Sequence, residues 1–258
     1  MLYLLRMLLL AIHFLSVGLI GLIIGVLRPF DINNTRLFAN LYGLAAESIL
    51  GMRIEAQIET LFAQPPGFVI IANHQSNFDL FVMGRFLAPR TVSVGKKSLK
   101  WLPLFGQLFW LGGNVLIDRG NPYQARRSLE ATSRALRDEQ TSIWVFPEGT
   151  RNPQPTLRPF KKGAFQMAVD AGVPIVPVCI SRYAGRLRLG QWRSARIVIR
   201  ALPAIGTHGL TRKDIGDLAL ECQALMQGCL DQIAIEGGDD DAPVNHRNNK
   251  QQTATKLK

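Results

Sequence analysis

The first clear pattern along the chain is a long apolar stretch near the N-terminus. It runs over Met7–Leu27 and is bracketed by Arg6 and Arg28. As a helix, these 21 residues would extend about 31 Å, enough to cross the hydrocarbon core of a bilayer. Because no cleavage site follows directly, the pattern predicts an uncleaved membrane anchor. Within it, Gly21 and Gly25 form a small-xxx-small pattern against which another helix can pack.

A second apolar stretch covers Leu37–Met52. Its 16 residues include Asn40 and Glu47, so it is too short and too polar to predict a membrane span. Two placements stay open: the segment lies in the membrane interface, or it packs back on the first helix. Positive charge flanks the first helix on both sides, so the charge pattern does not determine its orientation.

Beyond these two stretches, apolar and polar residues begin to alternate. Met52–Glu59 alternates cleanly, which predicts a half-buried β-strand. Arg196–Ala201 alternates in the same way and predicts an edge strand or an antiparallel strand. Between them, short apolar runs that end in polar or glycine-containing turns predict interior strands. These runs are Phe68–Ala72, Thr91–Val94, Ser142–Phe146 and Ile175–Ile180.

Helical patterns lie between the predicted strands. The pair Asn121-Pro122 suits the start of a helix that runs to about Arg137. A short helix is predicted over Lys162–Ala171, and a long one opens at Thr211 with Asp214. The long helix carries a stripe at helical spacing that is expected in the core: Ile215, Leu218, Cys222, Leu225, Met226, Cys229 and Ile233.

The alternation of strands with helices predicts the fold class. We expect an α/β fold with a mixed, largely parallel sheet flanked by helices and preceded by an N-terminal membrane-associated helical segment. Residues 1–51 are predicted to form the membrane-associated helices, and residues 52–236 the globular domain. Segment 237–258 is polar and charged with almost no apolar content, so we expect it to be disordered.

Composition narrows the choice of partner. The chain has 30 lysines and arginines against 19 aspartates and glutamates, a formal net charge of +11. This excess suggests an anionic partner: nucleic acid, lipid head groups or a phosphorylated substrate. Nucleic acid is the weakest of the three because no recognisable binding module is present. The three cysteines are odd in number and lack metal-type spacing, so free thiols in a reducing compartment are expected. The four histidines are scattered, which argues against a zinc site.

The most informative polar stretch is Asn73–Asp79, where a predicted strand ends and a predicted helix begins. Open α/β sheets build their sites at such strand ends. On one continuous helix, His74 and Asp79 would point about 140° apart, so their side chains meet only if the chain turns between them. A histidine held by an aspartate is the usual construction of a general base near neutral pH.

The same stretch has a structural interpretation. Ser76 fits as the N-cap of the following helix, with Asp79 in the first turn facing the helix dipole. His74 is then a hydrogen-bonded loop residue or, less commonly, a metal ligand. A local motif of this kind does not decide between the interpretations.

Arg119 closes a further apolar run, which begins at Gly113 and ends in Asp118. It would emerge just before the helix that starts after Asn121. Arginine forks onto phosphate or carboxylate. Taken alone, however, the pattern is better explained by a local Asp118–Arg119 pair at a surface turn.

A charged turn follows the apolar run Ser142–Phe146. Pro147 and Gly149 require the chain to turn there, so Glu148 and Arg151 leave the strand end together. In a parallel sheet they would emerge near His74. An ordinary loop with charged residues is the alternative.

Lysines form two clusters. Lys161 and Lys162 stand at a predicted helix start, where the dipole disfavours cations unless an anion is bound. Ordinary solvation is the commoner explanation. Lys96, Lys97 and Lys100 lie close to apolar residues, which suits a membrane interface or an acidic partner. A solvated face is again the default.

These polar clusters come in an order that resembles a known family. The blocks are His74 with Asp79, Gly113–Arg119, Phe146–Arg151 and Val173–Val178. Together they resemble the motif blocks of the glycerolipid acyltransferases, most closely the bacterial 1-acyl-glycerol-3-phosphate acyltransferases. The resemblance runs from about Ile70 to Ser181, and Phe160–Phe165 is also similar.

The resemblance implies transfer of a fatty acyl group from acyl-CoA or acyl-carrier protein to the sn-2 hydroxyl of lysophosphatidic acid, giving phosphatidic acid. It implies His74 as the catalytic base and Asp79 as its partner, with no metal and no cofactor. For the acceptor phosphate, Arg119 comes first and Arg151 second. Glu148 suits a hydrogen bond to the glycerol moiety or the orientation of an arginine. The full set implied in substrate binding is Arg119, Glu148, Gly149, Thr150, Arg151, Lys161 and Lys162.

Two other functions stay open at this point. One is a related acyltransferase that uses another lysophospholipid or a lyso-aminolipid. The other is a membrane protein that binds anionic lipid without catalysis. The anchor and a cytosolic donor together place the catalytic domain on the cytoplasmic face of a bacterial inner membrane. The expected partners are lysophosphatidic acid, the acyl donor and anionic membrane lipids, and not nucleic acid.

Overall fold

The computed structural model of the chain describes residues 1–118 and 120–237. The predictions for Arg119 and for the polar segment after Gly237 lie outside the described residues. Within them the chain forms a seven-stranded sheet with helices packed against both faces. The predicted α/β architecture is therefore confirmed.

The strands are β1 (Met52–Gln57), β2 (Val69–Ala72), β3 (Thr91–Lys96), β4 (Val115–Ile117), β5 (Ser142–Val145), β6 (Ile175–Ile180) and β7 (Ala195–Ala201). Across the sheet their order is β1-β7-β6-β2-β5-β3-β4. Neighbouring strands are parallel except for β6 and β7. This confirms the mixed, largely parallel sheet.

The helices are α1 (Leu2–Leu27), α2 (Asn34–Ser48), α3 (Glu59–Phe62), α4 (Asp79–Met83), α5 (Phe105–Leu111), α6 (Pro122–Asp138), α7 (Gly163–Ala171) and α8 (Ile215–Glu236), with 3₁₀ helices at Gly84–Phe86 and Lys97–Trp101. The predicted cap of α6 is confirmed, since the Asn121 side chain accepts a hydrogen bond from the Gln124 N–H at 3.1 Å. α5 has no counterpart among the predicted helices. It is short, contains Gly106 and has no side-chain cap hydrogen bond at its start.

The two alternating strands differ in detail from their predictions. β7 lies between β1 and β6. It pairs with β6 in the antiparallel direction, so the antiparallel alternative for Arg196–Ala201 is confirmed. The edge alternative is wrong, because β1 pairs along the other side of β7. β1 ends at Gln57 and not at Glu59, since the chain turns there into α3.

β2 lies in the centre of the sheet and is buried on both faces. Ile70 and Ala72 belong to the apolar cluster that includes residues of α2 and α4, while Val69 and Ile71 belong to the cluster that includes residues of α7 and α8. Burial on both faces explains why this strand reads as a continuous apolar run and does not alternate. The residues that follow this strand, from Asn73 onward, leave the sheet at the carboxyl ends of its parallel strands.

α1 packs on the domain through a row of glycines. A Cβ atom added to Gly18, Gly21 or Gly25 would lie 2.7 to 3.0 Å from leucine side chains in and just before α5. Small residues at these positions let the helices approach closely, which confirms the packing predicted for Gly21 and Gly25. The opposite face of α1 is apolar and exposed, and includes Leu8, Ile12, Leu15, Leu19, Ile23 and Val26.

α2 packs back into the fold. It contacts α1, β1 and α4, and its Phe38 and Tyr42 are buried in the same cluster as Ile70. Of the two placements open for this segment, packing on the first helix is therefore confirmed. The predicted division at residue 52 stays a prediction, and the helices before it share the core of the sheet.

Arg6 fastens the N-terminal end of α1 to the loop that precedes β7. Its Nη1 donates to the carbonyl oxygens of Leu189 at 2.9 Å and Gln191 at 2.5 Å, and its Nη2 donates to that of Trp192 at 2.7 Å. Only 4% of Arg6 is exposed. The helix begins at Leu2, before the predicted start at Met7. Arg6 does not end the helix, because its charge is bound by these carbonyl oxygens.

Replacing Arg6 by glutamine is expected to loosen this loop. Hydrogen bonds from a charged donor contribute about 1.5–3 kcal/mol, so local opening should become at least about tenfold more frequent. Trypsin cleavage after the exposed Arg188 and Arg193 measures that opening. The control is Arg28→Gln at the other end of α1, where the arginine is exposed and pairs with Asp31. Equal cleavage rates in the two variants would contradict the anchoring role.

Candidate active site

His74 and Asp79 meet at the carboxyl end of β2. The Nδ1 atom of His74 lies 2.5 Å from Oδ2 of Asp79. The His74 side chain is 25% exposed and that of Asp79 is 3% exposed. The chain turns between them, as the spacing requires, so that a half-buried imidazole is backed by a buried carboxylate.

The turn is built on the Asp79 carboxylate. Its Oδ2 also accepts hydrogen bonds from the N–H groups of Gln75 at 2.8 Å and Ser76 at 3.1 Å. The predicted N-cap role of Ser76 is wrong, because the helix begins at Asp79 with Phe78 in the N-cap position. The Ser76 hydroxyl instead accepts from the Phe78 N–H at 3.2 Å. Asp79 therefore orders the loop and holds the histidine at the same time.

The residues on either side of His74 fix it to β6. The Asn73 side chain pairs with the main chain of Ile180, donating at 2.9 Å and accepting at 2.8 Å. The Gln75 amide donates to the carbonyl oxygens of Ile180 at 3.1 Å and Ser181 at 2.9 Å. Both amides are buried. With its neighbours bound to the adjacent strand, His74 is held facing the opposite way.

Two aromatic residues complete the surroundings of the pair. The ring of Phe146 stacks on that of His74, with centroids 4.1 Å apart and planes 16° apart. The Tyr183 hydroxyl donates to Oδ1 of Asp79. Burial, and next the nearby Asp79 charge, raise the pKa of Tyr183 well above its usual value. The phenol therefore stays protonated and acts as a donor.

The loop after β5 holds the main chain of His74. Oε1 of Glu148 accepts from the His74 N–H at 3.3 Å, and the Asn152 N–H donates to the His74 carbonyl oxygen at 2.7 Å. Oε2 of Glu148 accepts from the Asn152 amide at 2.8 Å and from the Arg158 N–H at 3.0 Å. Glu148 is buried. Its carboxylate is thus bonded to the two loops themselves, and the contact with Arg158 is to the main chain.

The other predicted binding residues lie on the outer side of this loop. Gly149 has a φ of +70°, and a Cβ atom there would lie 2.8 Å from Cε of Lys161, so the turn requires glycine. Arg151 donates to Oδ1 of Asn77 at 2.6 Å, which places its guanidinium beside the histidine loop. The exposed members of the predicted set are Thr150, Arg151, Lys161 and Lys162.

The lysines after β3 have partners of their own. Nζ of Lys97 lies 3.0 Å from Oδ2 of Asp118. This contact, followed by the Gly120 N–H, lowers the pKa of Asp118. Lys100 lies over the ring of Trp101, 4.6 Å from its centroid. Asp118 is therefore bound to Lys97 across neighbouring strands, whereas its predicted local pair with Arg119 lies outside the described residues.

The cysteines lie outside the site described above. Cys179, Cys222 and Cys229 are free and buried. Within residues 1–118 and 120–237, no three His, Cys, Asp or Glu side chains are grouped so that they could hold a metal ion.

Several residues that build the site were not among the functional residues predicted from the sequence. Gln75 lies inside a predicted block, and an amide next to a candidate histidine is a signal that could have drawn attention to it. Asn152 directly follows the block that ends at Arg151. Phe146 also lies in a block, but its stacking on His74 depends on the pairing of β2 with β5. For Tyr183, no local pattern connects it with Asp79, since the contact spans 104 positions.

The arrangement has the elements of general base catalysis. Asp79 engages Nδ1 of His74, so Nε2 is the nitrogen that can accept a proton from a bound hydroxyl. The buried carboxylate can stabilise the imidazolium that forms. The geometry requires no enzyme nucleophile, because a substrate hydroxyl can itself be activated.

Comparison with known proteins shows the family of this chain. A family model described as Acyltransferase matches residues 53–181. A 1-acyl-sn-glycerol-3-phosphate acyltransferase of Salmonella typhimurium is 35% identical over 242 residues, covering 94% of this chain and 98% of the relative. The protein of that name from Haemophilus influenzae is 37% identical over 227 residues, covering 88% and 94%.

A solved structure shares the fold. The crystal structure of the 1-acyl-sn-glycerophosphate (LPA) acyltransferase PlsC from Thermotoga maritima matches with a TM-score of 0.67 and 21% sequence identity. The match covers 88% of this chain and 95% of that chain. Family model, sequence relatives and fold agree, and this chain belongs to the acyltransferase family.

Proposed function

We propose that the protein transfers a fatty acyl group from a thioester donor to the sn-2 hydroxyl of 1-acyl-glycerol-3-phosphate, with His74 as the general base. The observation that carries this proposal is the 2.5 Å contact between His74 and a buried Asp79 at the carboxyl end of β2. The acceptor is supported by the names of relatives at 35% and 37% identity.

The proposed reaction begins at the acceptor hydroxyl. Nε2 of His74 takes the hydroxyl proton as the oxygen attacks the thioester carbonyl carbon. Asp79 stabilises the resulting imidazolium through Nδ1. When the tetrahedral intermediate collapses, the carbon–sulfur bond breaks and His74 returns the proton to the leaving thiolate. The thioester supplies the driving energy, so the proposal includes no metal and no cofactor.

The acceptor phosphate is proposed to bind beside the histidine loop. Arg151 is held there by Asn77, and the exposed ammonium groups of Lys161 and Lys162 follow on the same loop. Arg119 is proposed by its position in the motif block. Glu148, Gly149 and Thr150 shape the loop that presents these cations, because Glu148 is bonded to the main chain of His74.

The phosphate role of Arg151 can be tested by acceptor choice. We expect Arg151→Ala to raise the KM for 1-acyl-glycerol-3-phosphate about tenfold or more, since a charge-assisted contact is lost. The KM for 1-acylglycerol, which lacks the phosphate, should hardly change. Arg119→Ala is expected to act in the same direction.

The matched control is Arg137→Ala. Arg137 is exposed, pairs with Asp138 and lies near the end of α6, next to the amino end of β5. This substitution removes the same positive charge as Arg151→Ala, but far from the proposed phosphate site. A KM for the phosphorylated acceptor that is unchanged in Arg151→Ala would remove this residue from the phosphate site.

We also propose that α1 associates with the membrane along its exposed side. With 26 residues, it is long and apolar enough to span a bilayer. Arg6 and Gly25 both contact the globular domain, and they are about 28 Å apart along the helix. A helix held at both ends inserts its free face into one leaflet and does not cross. Flotation with liposomes measures the association of the protein with the membrane, and protein that remains unbound would contradict the proposed association.

The donor and the compartment follow from the same proposal. Acyl-CoA or acyl-carrier protein supplies the thioester, and the positive charges of Lys96, Lys97 and Lys100 are proposed to attract either donor. Both donors are cytosolic, so the catalytic domain is proposed to face the cytoplasm at a bacterial inner membrane. Anionic membrane lipids would then attract the excess positive charge of the chain.

Release of free thiol from acyl-CoA is the experiment that tests the function. Purified protein should release thiol when 1-acyl-glycerol-3-phosphate is present and form phosphatidic acid in equal amount. A panel of other lysophospholipids and lyso-aminolipids tests the related acceptors, and higher kcat/KM with one of these would replace the proposed acceptor. Lipid binding without any thiol release would indicate a non-catalytic lipid-binding protein.

A further inference from the structure

We infer that Tyr183 is a positioning residue for the His74–Asp79 pair, holding the carboxylate oxygen that His74 does not use. This inference rests on the proposed function, since it concerns the same proton transfer. Tyr183 lies just after β6, far from Asp79 in sequence, and belongs to none of the motif blocks. Its role is argued from the hydrogen bonds of the carboxylate.

The two oxygen atoms of Asp79 are bound from different sides. Oδ2 accepts from His74 and from the N–H groups of Gln75 and Ser76. Oδ1 accepts from the Tyr183 hydroxyl. A carboxylate bound through one oxygen can still rotate about its bond to Cβ, whereas binding through both oxygens fixes its plane. Tyr183 thus fixes the direction in which Asp79 presents its charge to the imidazole.

Tyr183 is itself held by the histidine loop. Its N–H donates to Oε1 of Gln75 at 3.1 Å, while the amide group of Gln75 donates to Ile180 and Ser181. The Tyr183 ring is almost fully buried, with 1% exposed. Gln75 therefore binds the end of β6 and the main chain of Tyr183 through its side chain, and Asp79 through its own N–H. The phenol has little freedom to move away.

Donation from the phenol also tunes the charge of the carboxylate. A hydrogen bond to Oδ1 draws electron density away from Oδ2, so the carboxylate attracts the imidazolium less strongly. Without the hydroxyl, the protonated form of His74 is favoured and the base becomes active only at higher pH. A residue with a purely structural role would change stability without moving the pH profile of the reaction.

The test compares Tyr183→Phe with Tyr42→Phe. Both tyrosines are 1% exposed in the same apolar cluster, but the Tyr42 hydroxyl has no hydrogen-bond partner in the described part of the chain. For Tyr183→Phe we expect kcat to fall about tenfold, which corresponds to one displaced hydrogen bond. The KM for the acceptor should stay unchanged, because Tyr183 does not touch substrate. Tyr42→Phe should retain wild-type kcat.

The pH profile of kcat gives the decisive readout. We expect its acid limb to move to higher pH in Tyr183→Phe. Incorporation of 3-fluorotyrosine at position 183 keeps the shape and makes the phenol a stronger donor, so that variant should move the limb to lower pH. Comparison with wild type cancels the titration of the acceptor phosphate. The fluorinated protein also provides the test if Tyr183→Phe does not fold.

An unchanged acid limb in both variants would overturn the role of Tyr183, as would equal kcat in Tyr183→Phe and wild type. Failure of this inference is distinguishable from failure of the proposed function. In the first case, wild-type protein still releases thiol in the presence of acceptor and loses that activity in His74→Ala. In the second case, wild-type protein itself releases none.

Discussion

His74→Ala is expected to lower kcat for acyl transfer about a thousandfold. General base catalysis contributes about 10²–10⁴ to a rate, and alanine supplies no group that can accept the hydroxyl proton. The loop should keep its shape, because His74 is bound to Glu148 and Asn152 through main-chain atoms that alanine retains. Thiol release at saturating acceptor measures the loss, and the melting temperature reports on the fold.

The control for this variant is His208→Ala. His208 is exposed on the segment between β7 and α8, away from the carboxyl ends of β2 and β5. We expect wild-type turnover there and unchanged binding to liposomes in both variants. Substantial turnover in well-folded His74→Ala would show that the acceptor hydroxyl is activated by another group, and the proposed mechanism would have to be abandoned.

Asp79→Asn is expected to lower kcat about a hundredfold or more while preserving the fold. The amide oxygen can take the place of Oδ2 and accept from His74, Gln75 and Ser76, as the carboxylate does. The amide nitrogen then faces Tyr183, whose oxygen can accept. The tautomer of His74 is retained, so the loss is that of the negative charge that stabilises the imidazolium.

Asp214→Asn separates this effect from capping. Asp214 also accepts a main-chain hydrogen bond, from the Thr211 N–H at 2.7 Å, and stands at the start of α8. If Asp79 only ordered the start of α4, both asparagine variants would lose a similar amount of stability and keep their activity. We expect activity loss in Asp79→Asn alone. Similar kcat in the two variants would reduce Asp79 to a structural residue.

Much of the fold follows from local patterns. The interior strands were predictable because burial on both faces leaves a continuous apolar run, as in β2. α6 was predictable because Asn121 and Pro122 mark its start. α5 was not, because its stability comes from packing on the glycines of α1, and local patterns do not contain that contact. For the same reason β7 looked like an edge strand, although β1 covers it.

The site divides in a similar way. The pairing of His74 with Asp79 could be predicted from the sequence, because they lie where a predicted strand ends and a predicted helix begins. The chain must turn there, and a turn lets two residues at this spacing meet. The chain did not indicate that Glu148 is bound to the main chain of His74, since an acidic residue in a charged loop is equally suited to solvent or substrate. Arg6 is a further example. It marks the boundary of an apolar stretch in sequence, yet it is buried against three carbonyl oxygens in the fold.

The class of fold, the apolar N-terminal helix and the residues proposed to carry the chemistry could all be predicted from the sequence, because these depend on residue type and short spacing. By contrast, the tertiary structure was needed to show that α1 lies along the domain and that Tyr183 and Gln75 are hydrogen-bonded to Asp79. The contacts of α1 with α5 join residues more than eighty positions apart, and those of Tyr183 with Gln75 and Asp79 join residues more than a hundred apart. They depend on which strands become neighbours, and that order is set by the packing of the whole sheet.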